Sequence, residues 1–179
     1  MFYADYTKNL WNIVTLFRDQ YTSDFERREY EEKPYILLLI AMGSEIEKDG
    51  EFKFTSTDIW HFDRECIEDD GDYSIVMERI VELIKGELLI TDIEDHIDRE
   101  NEEVGLSFKL NGETYKFNLT LNDDWLNIGV FKIFSNLLEE HGSDRRFFYS
   151  DLGQGILVGA FKKEQWLSLN KLINIFLPV

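Results

Sequence analysis

The spacing of apolar residues predicts helices in the first part of the chain. Residues 3–25 carry apolar side chains at three- and four-residue intervals, which place them on one stripe of a helix. Residues 35–42 are apolar without interruption and follow Pro34, a residue that suits a first helical position. A helix that is apolar on every face is normally central and covered all round. We therefore expect a core helix here, ended by Asp49-Gly50.

Shorter elements are expected as far as residue 86. Residues 51–54 fit a short strand, and residues 57–66 fit a short helix capped by the threonine or aspartate near its start. Asp72 is the expected N-cap of a third amphipathic helix, which Gly86 ends. The apolar stripe of that helix consists of Tyr73, Val76, Met77, Ile80, Leu83 and Ile84.

Beyond residue 86 the pattern changes towards the two-residue period of a strand. Residues 89–98 fit a strand better than a helix, although three of their apolar residues also have helical spacing. The strand would have one face with Leu89, Thr91, Ile93, Asp95 and Ile97, and another with Asp92, Glu94, His96 and Asp98.

Two hairpins and two helices are expected in the rest of the chain. Asn111-Gly112 tolerates the positive φ angles of a type I′ turn and predicts a hairpin of residues 104–110 and 114–121. The following helix would begin at Asn122 or Asp123. The remaining elements are a hairpin of residues 145–149 and 156–161, joined by residues 151–155, and a final helix with Trp166, Leu169, Leu172, Ile173 and Phe176 on its apolar face.

These elements predict an α+β protein, in which N-terminal helices pack on a largely antiparallel sheet made of hairpins separated by helices. The length of 179 residues favours a single domain. Within it, residues 1–86 would form a mainly helical half and residues 87–179 a half of β-hairpins and helices.

Negative charge is concentrated in one segment of the chain. Residues 45–103 contain 21 acidic and 6 basic side chains, or −15 of the net −17. Residues 1–44 carry −2, and residues 104–179 are neutral. Such a field repels nucleic acid and anionic membranes and attracts basic protein surfaces. We therefore expect no direct binding to nucleic acid and no membrane association.

Catalytic and metal-binding motifs are not evident. His61 and His96 have acidic neighbours but no metal-ligand spacing, and residues 69–72 lack the spacing of a calcium loop. The acids around Cys66 would raise its pKa and make the reactive thiolate scarce. The glycines of Gly153-Gln154-Gly155 join two expected strands rather than opening a helix, so a turn is favoured over a phosphate loop. We expect no metal and no cofactor.

The single cysteine permits no disulfide within the chain, and the N-terminus shows no signal-peptide pattern. The longest apolar run has eight residues, whereas a membrane-spanning helix needs about 20. These observations predict a cytoplasmic protein.

The acidic segment supplies the candidate partner-binding residues. We expect a basic surface to bind acids of the loop before the third helix and of the strand after it, and we expect these acids to be exposed; solubility is the competing explanation of the charge. The candidates are Asp69, Asp70, Asp72, Glu94, Asp95 and Asp98.

About 65 residues of the C-terminal half resemble immunity proteins of bacterial polymorphic-toxin and contact-dependent growth inhibition systems. The resemblance lies in the order of five motifs: Asn111-Gly112-Glu113-Thr114-Tyr115-Lys116-Phe117, Asn122-Asp123-Asp124-Trp125-Leu126, Gly142-Ser143-Asp144-Arg145-Arg146-Phe147-Phe148-Tyr149, Gly153-Gln154-Gly155 and Glu164-Gln165-Trp166. It implies a small, non-enzymatic cytoplasmic protein that binds and blocks one cognate toxin, often a nuclease. It assigns no contact residue.

The charge and the resemblance together predict a toxin inhibitor that forms a tight one-to-one complex. Two alternatives remain at this point. One is an enzyme whose site is assembled from scattered Asp, Glu and His residues. The other is a regulatory or scaffold protein.

Overall fold

The computed structural model of the protein describes residues 34–48 and 50–179. The helix expected over residues 3–25 lies outside these residues. The fold is α+β, as predicted. Its described helices are α1 (Pro34–Gly43), α2 (Asp72–Leu83), α3 (Gly129–Glu140) and α4 (Lys163–Leu172). Its described strands are β1 (Glu45–Lys48), β2 (Glu51–Phe54), β3 (Ile59–Asp63), β4 (Ile90–Asp98), β5 (Glu103–Leu110), β6 (Glu113–Thr120), β7 (Arg145–Leu152), β8 (Gly155–Lys162) and β9 (Leu177–Pro178).

The strands form three antiparallel sheets where the sequence suggested one. The order is β1-β2 in the first, β3-β8-β7-β9 in the second and β4-β5-β6 in the third. One large apolar core joins the two bigger sheets through α2 and α3, with buried residues from both the expected N-terminal and C-terminal halves. A smaller core under α1 and α4 covers the other side of the four-stranded sheet. The two halves are thus packed on a shared interior.

Helix α1 ends at Gly43, earlier than the sequence suggested. A Cβ atom at Gly43 would lie 2.6 Å from the main-chain nitrogen of His61, so the helix approaches β3 as closely as glycine allows. The chain then enters the β1–β2 hairpin, whose first strand was included in the helix because Asp49-Gly50 was expected to end it.

The expected all-round burial of α1 is wrong within the described residues. Leu37 and Leu39 are buried and Leu38 is half-buried, whereas Tyr35 and Met42 are exposed. The helix therefore packs one side against β3 and β8 rather than lying in the centre of the core.

The short helix expected over residues 57–66 is a strand, β3. It pairs with β8 along its whole length, from Ile59 opposite Gly159 to Asp63 opposite Gly155. Its apolar residues are β-branched and aromatic, which favours a strand, and Trp60 stacks on Phe62 at 3.8 Å between ring centroids. Pairing with the distant strand β8 therefore overrides the helix that the local cap signals predicted.

Strand β4 confirms the strand prediction for its segment but carries a bulge. Its register against β5 shifts between Thr91 and Glu94, and Asp92 has a φ of +52°. The extra residue reverses the two faces, so Ile90 is buried while Leu89 is exposed. Leu89 was expected to share the face of the later isoleucines, and this placement is wrong.

Both predicted hairpins are confirmed. Asn111 and Gly112 have φ values of +52° and +88°, as a type I′ turn requires, and Leu110 pairs with Glu113. In the second hairpin Leu152 pairs with Gly155, and Gly153 has a φ of +91°. The Gly153-Gln154-Gly155 segment is therefore a turn, as expected.

Helix α3 begins later than the cap signals suggested. Asp123 has a φ of +54°, so it does not lead directly into a helix, and Trp125 instead forms isolated bridges with Glu65 and Asn122. The side chain of Asn127 accepts a hydrogen bond from the Gly129 main-chain nitrogen at 2.9 Å. This bond closes a turn directly before the helix, whose N-cap position is Ile128 rather than Asn122 or Asp123 and has no side-chain cap.

Candidate partner-binding surface

An open groove of about 620 Å³ lies between the loop that precedes α2 and the β4–β5 turn. Five carboxylates and one guanidinium line it, together with one imidazole and one apolar side chain. The lining residues are Glu68, Asp69, Asp70, His96, Ile97, Asp98, Arg99 and Glu100. Three of the six predicted partner-binding acids, Asp69, Asp70 and Asp98, meet here although Asp98 lies 28 positions after Asp70 in the sequence.

Asp70 ties the two walls of the groove together. Its Oδ1 accepts a hydrogen bond from the Ile97 main-chain nitrogen at 2.6 Å, and its Oδ2 lies 3.2 Å from His96 Nδ1. The Ile97 hydrogen bond, followed by the contact with His96, holds the pKa of the Asp70 carboxyl below its usual value. Asp70 therefore remains ionised at neutral pH, and its carboxylate is exposed to solvent.

Asp98 shapes the β4–β5 turn. Its carboxylate accepts hydrogen bonds from the Asn101 side chain at 2.7 Å and from the main-chain nitrogens of Asn101 and Glu100 at 3.0 and 3.1 Å. Hydrogen bonding to Asn101 lowers the pKa of Asp98. Arg99 reaches the opposite wall, where its guanidinium donates to the main-chain oxygen of Glu68. The turn is thus held against the loop from both sides.

Asp95 caps α2 from a neighbouring strand. Its two carboxylate oxygens accept hydrogen bonds from the main-chain nitrogens of Gly71 and Ser74, each at 2.9 Å, and the Ser74 hydroxyl donates to the same carboxylate. Helix N-termini favour negative charge, because their free N–H groups and the helix dipole point at it. Asp95 is half-buried in this position and serves the fold.

Asp72 does not act as the predicted N-cap. It is the first residue of α2, and its Oδ2 accepts hydrogen bonds from the main-chain nitrogens of Glu68 at 2.7 Å and Asp69 at 2.9 Å. These hydrogen bonds hold the loop that precedes α2. The main-chain nitrogens at the start of the helix donate to Asp95 instead. The sequence could not assign the cap correctly because the capping carboxylate comes from another element.

The six predicted acids therefore do not form one cluster. Asp69, Asp70 and Glu94 are exposed, as expected, whereas Asp72, Asp95 and Asp98 are half-buried, and the expectation of exposure is wrong for these three. Glu94 projects from the outer face of the three-stranded sheet, outside the groove lining.

The sequence prediction missed Arg99 and Glu100 as lining residues. A usable signal was present, because Asp and Asn favour turns through side-chain hydrogen bonds to nearby main-chain groups, and Asp98 and Asn101 flank these two residues. The salt-bridging lysine of the sheet, Lys109, was also missed; its Nζ lies 2.6 Å from Asp92 Oδ2 beside the bulge.

The groove can accept cationic and hydrogen-bond-donating groups. Five carboxylates against one guanidinium give it a negative potential, and the position of the main chain is fixed by the bonds to Asp70 and Asp98. The imidazole of His96 is 74% exposed, and exposed ion pairs contribute little to stability. The groove is therefore an open, solvated surface of negative charge.

The other titratable candidates, His61 and Cys66, are half-buried and lie outside the groove lining. Ser44 Oγ lies 3.1 Å from His61 Nδ1, and burial lowers the pKa of His61 despite the nearby Asp63. Burial, with Asp72 and Asp63 adding to it, raises the pKa of the Cys66 thiol to about 11. A thiol with that pKa is almost entirely protonated at neutral pH and a poor nucleophile.

Within residues 34–48 and 50–179, no group of three or more His, Cys, Asp or Glu side chains is arranged to hold a metal ion. No described helix combines the length and the apolar character needed to cross a bilayer.

No protein-family model matches the chain, and no curated protein or solved structure is significantly similar to it.

Proposed function

We propose that this protein is a non-enzymatic inhibitor that neutralises a cognate bacterial toxin by binding it one to one. The partner would be a toxin domain with a basic surface, such as a nuclease. The observation that carries the proposal is the concentration of acid in residues 45–103, part of which surrounds an open groove.

The exposed acids Asp69, Asp70 and Glu94 are the contacts we propose for the partner. Asp69 and Glu94 accept no side-chain hydrogen bond from any described residue, so their carboxylates are free for a basic partner. Asp70 is held by Ile97 and would present a fixed charge. Asp72, Asp95 and Asp98 would act indirectly, by holding the loop, the helix and the turn in place.

Electrostatic attraction supports rapid capture of such a partner. A localised negative field raises the association rate with a basic protein by about 10- to 1000-fold, and salt screens it. Fast association suits an inhibitor that must act before its toxin does. Residues 104–179, which carry no net charge, would contribute little to this steering.

The test is co-expression of the protein with the products of its neighbouring genes. We expect one of these products to be toxic alone, to be tolerated in the presence of this protein and to co-purify with it in equimolar amount. Absence of both protection and complex formation with every neighbouring product would refute the proposal.

The role of the acidic surface is tested on that complex with paired variants. Asp69→Asn with Glu94→Gln removes two charges from the proposed surface, and Glu140→Gln with Glu164→Gln removes two exposed charges elsewhere. We expect the first pair to slow association at low salt more than the second, with the difference shrinking as salt rises. If the two pairs of substitutions slow association equally, the acidic surface contributes to solubility and not to partner binding.

A further inference from the structure

The three-stranded sheet has two different edges. Edge strand β4 carries the bulge at Asp92 and a row of acids, features that discourage pairing with another strand. Edge strand β6 is eight residues long, regular, and paired with β5 at every position. It contains no proline, and within residues 34–48 and 50–179 no strand pairs with its outer edge.

Along its outer edge, the main chain of β6 directs a row of hydrogen-bonding groups that pair with no described strand. The two-residue Asn111-Gly112 turn makes Leu110 and Glu113 a hydrogen-bonded pair, and such pairs recur at every second residue of an antiparallel ladder. The odd-numbered residues of β6 therefore bond to β5, and the even-numbered ones direct N–H and C=O outward. The outward groups belong to Thr114, Lys116, Asn118 and Thr120, of which the Thr120 oxygen already accepts a hydrogen bond from the Asn127 side chain at 2.9 Å.

We propose that β6 pairs with β6 of a second copy of this chain across a two-fold axis and extends the sheet to six strands. This interaction surface is independent of the proposed function, because it lies on the edge opposite β4. Symmetric pairing of this kind uses the same edge of both copies and closes at a dimer.

Two registers pair the most residues of β6, with the axis at Lys116 or at Phe117, and charge favours the second. An axis at Phe117 places Lys116 opposite Asn118 of the second copy and Thr114 opposite its Thr120, with no like charges facing each other. An axis at Lys116 would place the two lysines opposite each other, which is unfavourable. Even-numbered residues face each other in both registers, so both satisfy the outward main-chain groups, and the lysine decides between them.

Apolar side chains support the same register. Tyr115, Phe117 and Leu119 lie on the inner face of β6, half-buried and packed against the main core. With the axis at Phe117, the two phenylalanines meet and each Tyr115 lies opposite a Leu119. Pairing would therefore cover apolar surface that the sheet edge leaves open to solvent.

The net charge of −17 on each copy opposes self-association, but the geometry limits the repulsion. Pairing through β6 puts the two acid-rich β4 strands at the far edges of the six-stranded sheet, five strand spacings or about 24 Å apart. This separation is about three times the screening length of 8 Å at physiological ionic strength. Pairing through β4 would instead bring the acids together, so only one edge of the sheet is suited to a second copy.

Sedimentation equilibrium of the full chain over a wide concentration range tests the proposal. We expect a reversible equilibrium between the 21.3 kDa monomer and a dimer of twice that mass. Asn118→Glu introduces two ion pairs with Lys116 across the axis and should lower the dissociation constant about 2- to 30-fold. Asn118→Lys introduces two repulsive pairs and should raise it by a similar factor.

The double variant Lys116→Glu with Asn118→Lys restores the opposite charges and should dimerise at least as well as the wild-type chain. The substituted side chains are exposed, so circular dichroism should show the same folded state in every variant. A wild-type chain that remains 21.3 kDa at all concentrations overturns the proposal. So does a dimer whose stability does not respond to the charge at position 118.

Discussion

The two larger sheets differ in how many of their faces are buried. In β8 of the four-stranded sheet, six consecutive residues, 156–161, are buried. Alternate residues enter different cores: Ile156 and Val158 join the main core, and Leu157 and Phe161 join the smaller core under α1 and α4. In β5 of the three-stranded sheet, burial alternates with partial or full exposure. One sheet is covered on both faces and the other on one.

This difference indicates where a partner can bind without cost to the fold. Every side chain in the middle of β8 is used in packing, so a change there alters stability first. Among residues 34–48 and 50–179, no core covers the outer face of β4 and β5, which carries the polar side chains of Glu94, His96 and Glu103. The surface that we propose for a partner lies on this second type of sheet and on the loop beside it.

The largest expected effect tests the two-sided burial of β8. Ile156→Ala and Leu157→Ala should each lower the free energy of unfolding by about 2–5 kcal/mol, because both side chains are fully buried although they point in opposite directions. In β5, Leu106→Ala should cost a similar amount and Ser107→Ala less than about 0.5 kcal/mol. Urea unfolding measures all four. A mild effect of Leu157→Ala would mean that β8 is covered on one face only.

The next effect concerns the acids of the one-sided sheet. Asp95→Ala removes the cap of α2 and should lower the free energy of unfolding by about 0.5–2 kcal/mol. Asp69→Ala, in the same acidic region, is the matched control and should change it by less than about 0.5 kcal/mol. Equal effects of the two substitutions would contradict the division between structural and exposed acids.

A third prediction uses the thiol that packs against the main core between the sheets. The pKa of Cys66 is about 11 in the folded protein against an ordinary 9.0, so between these values the folded state retains a proton that the unfolded state loses. Stability should therefore fall as pH rises from 9 to 11, and Cys66→Ala should remove part of this slope. Part of the slope should remain in this variant, because burial also raises the pKa of Tyr73. Unfolding curves of the wild-type chain and of Cys66→Ala at several pH values measure the difference between their free energies of unfolding. This difference should change between pH 9 and pH 11.

The smallest effect on stability is expected at the exposed acids. Asp69→Asn with Glu94→Gln should leave the free energy of unfolding within about 0.5 kcal/mol of the wild-type value, while slowing association with a basic partner. Replacing all six predicted acids together should be destabilising, because Asp72, Asp95 and Asp98 hold main-chain groups. A stable six-fold variant would show that these hydrogen bonds contribute little.

Local signals in the sequence predicted the features that depend on neighbouring residues. The Asn111-Gly112 turn and the amphipathic α2 stripe agree with the structure, because turn geometry and helical spacing are set within a few residues. The raised pKa of Cys66 was also expected from nearby acids, although burial is its largest cause. The sequence showed that acids are dense in this segment, but it did not show how they are arranged around the groove.

Only the tertiary structure decided the features that depend on distant partners. Residues 59–63 form a strand because β8 lies beside them, and Asp95 caps α2 because the β4 backbone passes the helix N-terminus. The bulge at Asp92, which reverses the faces of β4, is a register shift against β5. The sequence thus determined the α+β class, the hairpin turns and the concentration of negative charge, since composition and short-range geometry set these properties. Asp95 and Asp70 accept hydrogen bonds from residues 21 to 27 positions away, which a one-dimensional pattern does not encode. Asp72 and Asp98 bond to residues within four positions, but whether those local bonds form also depends on the fold of the loop and the turn.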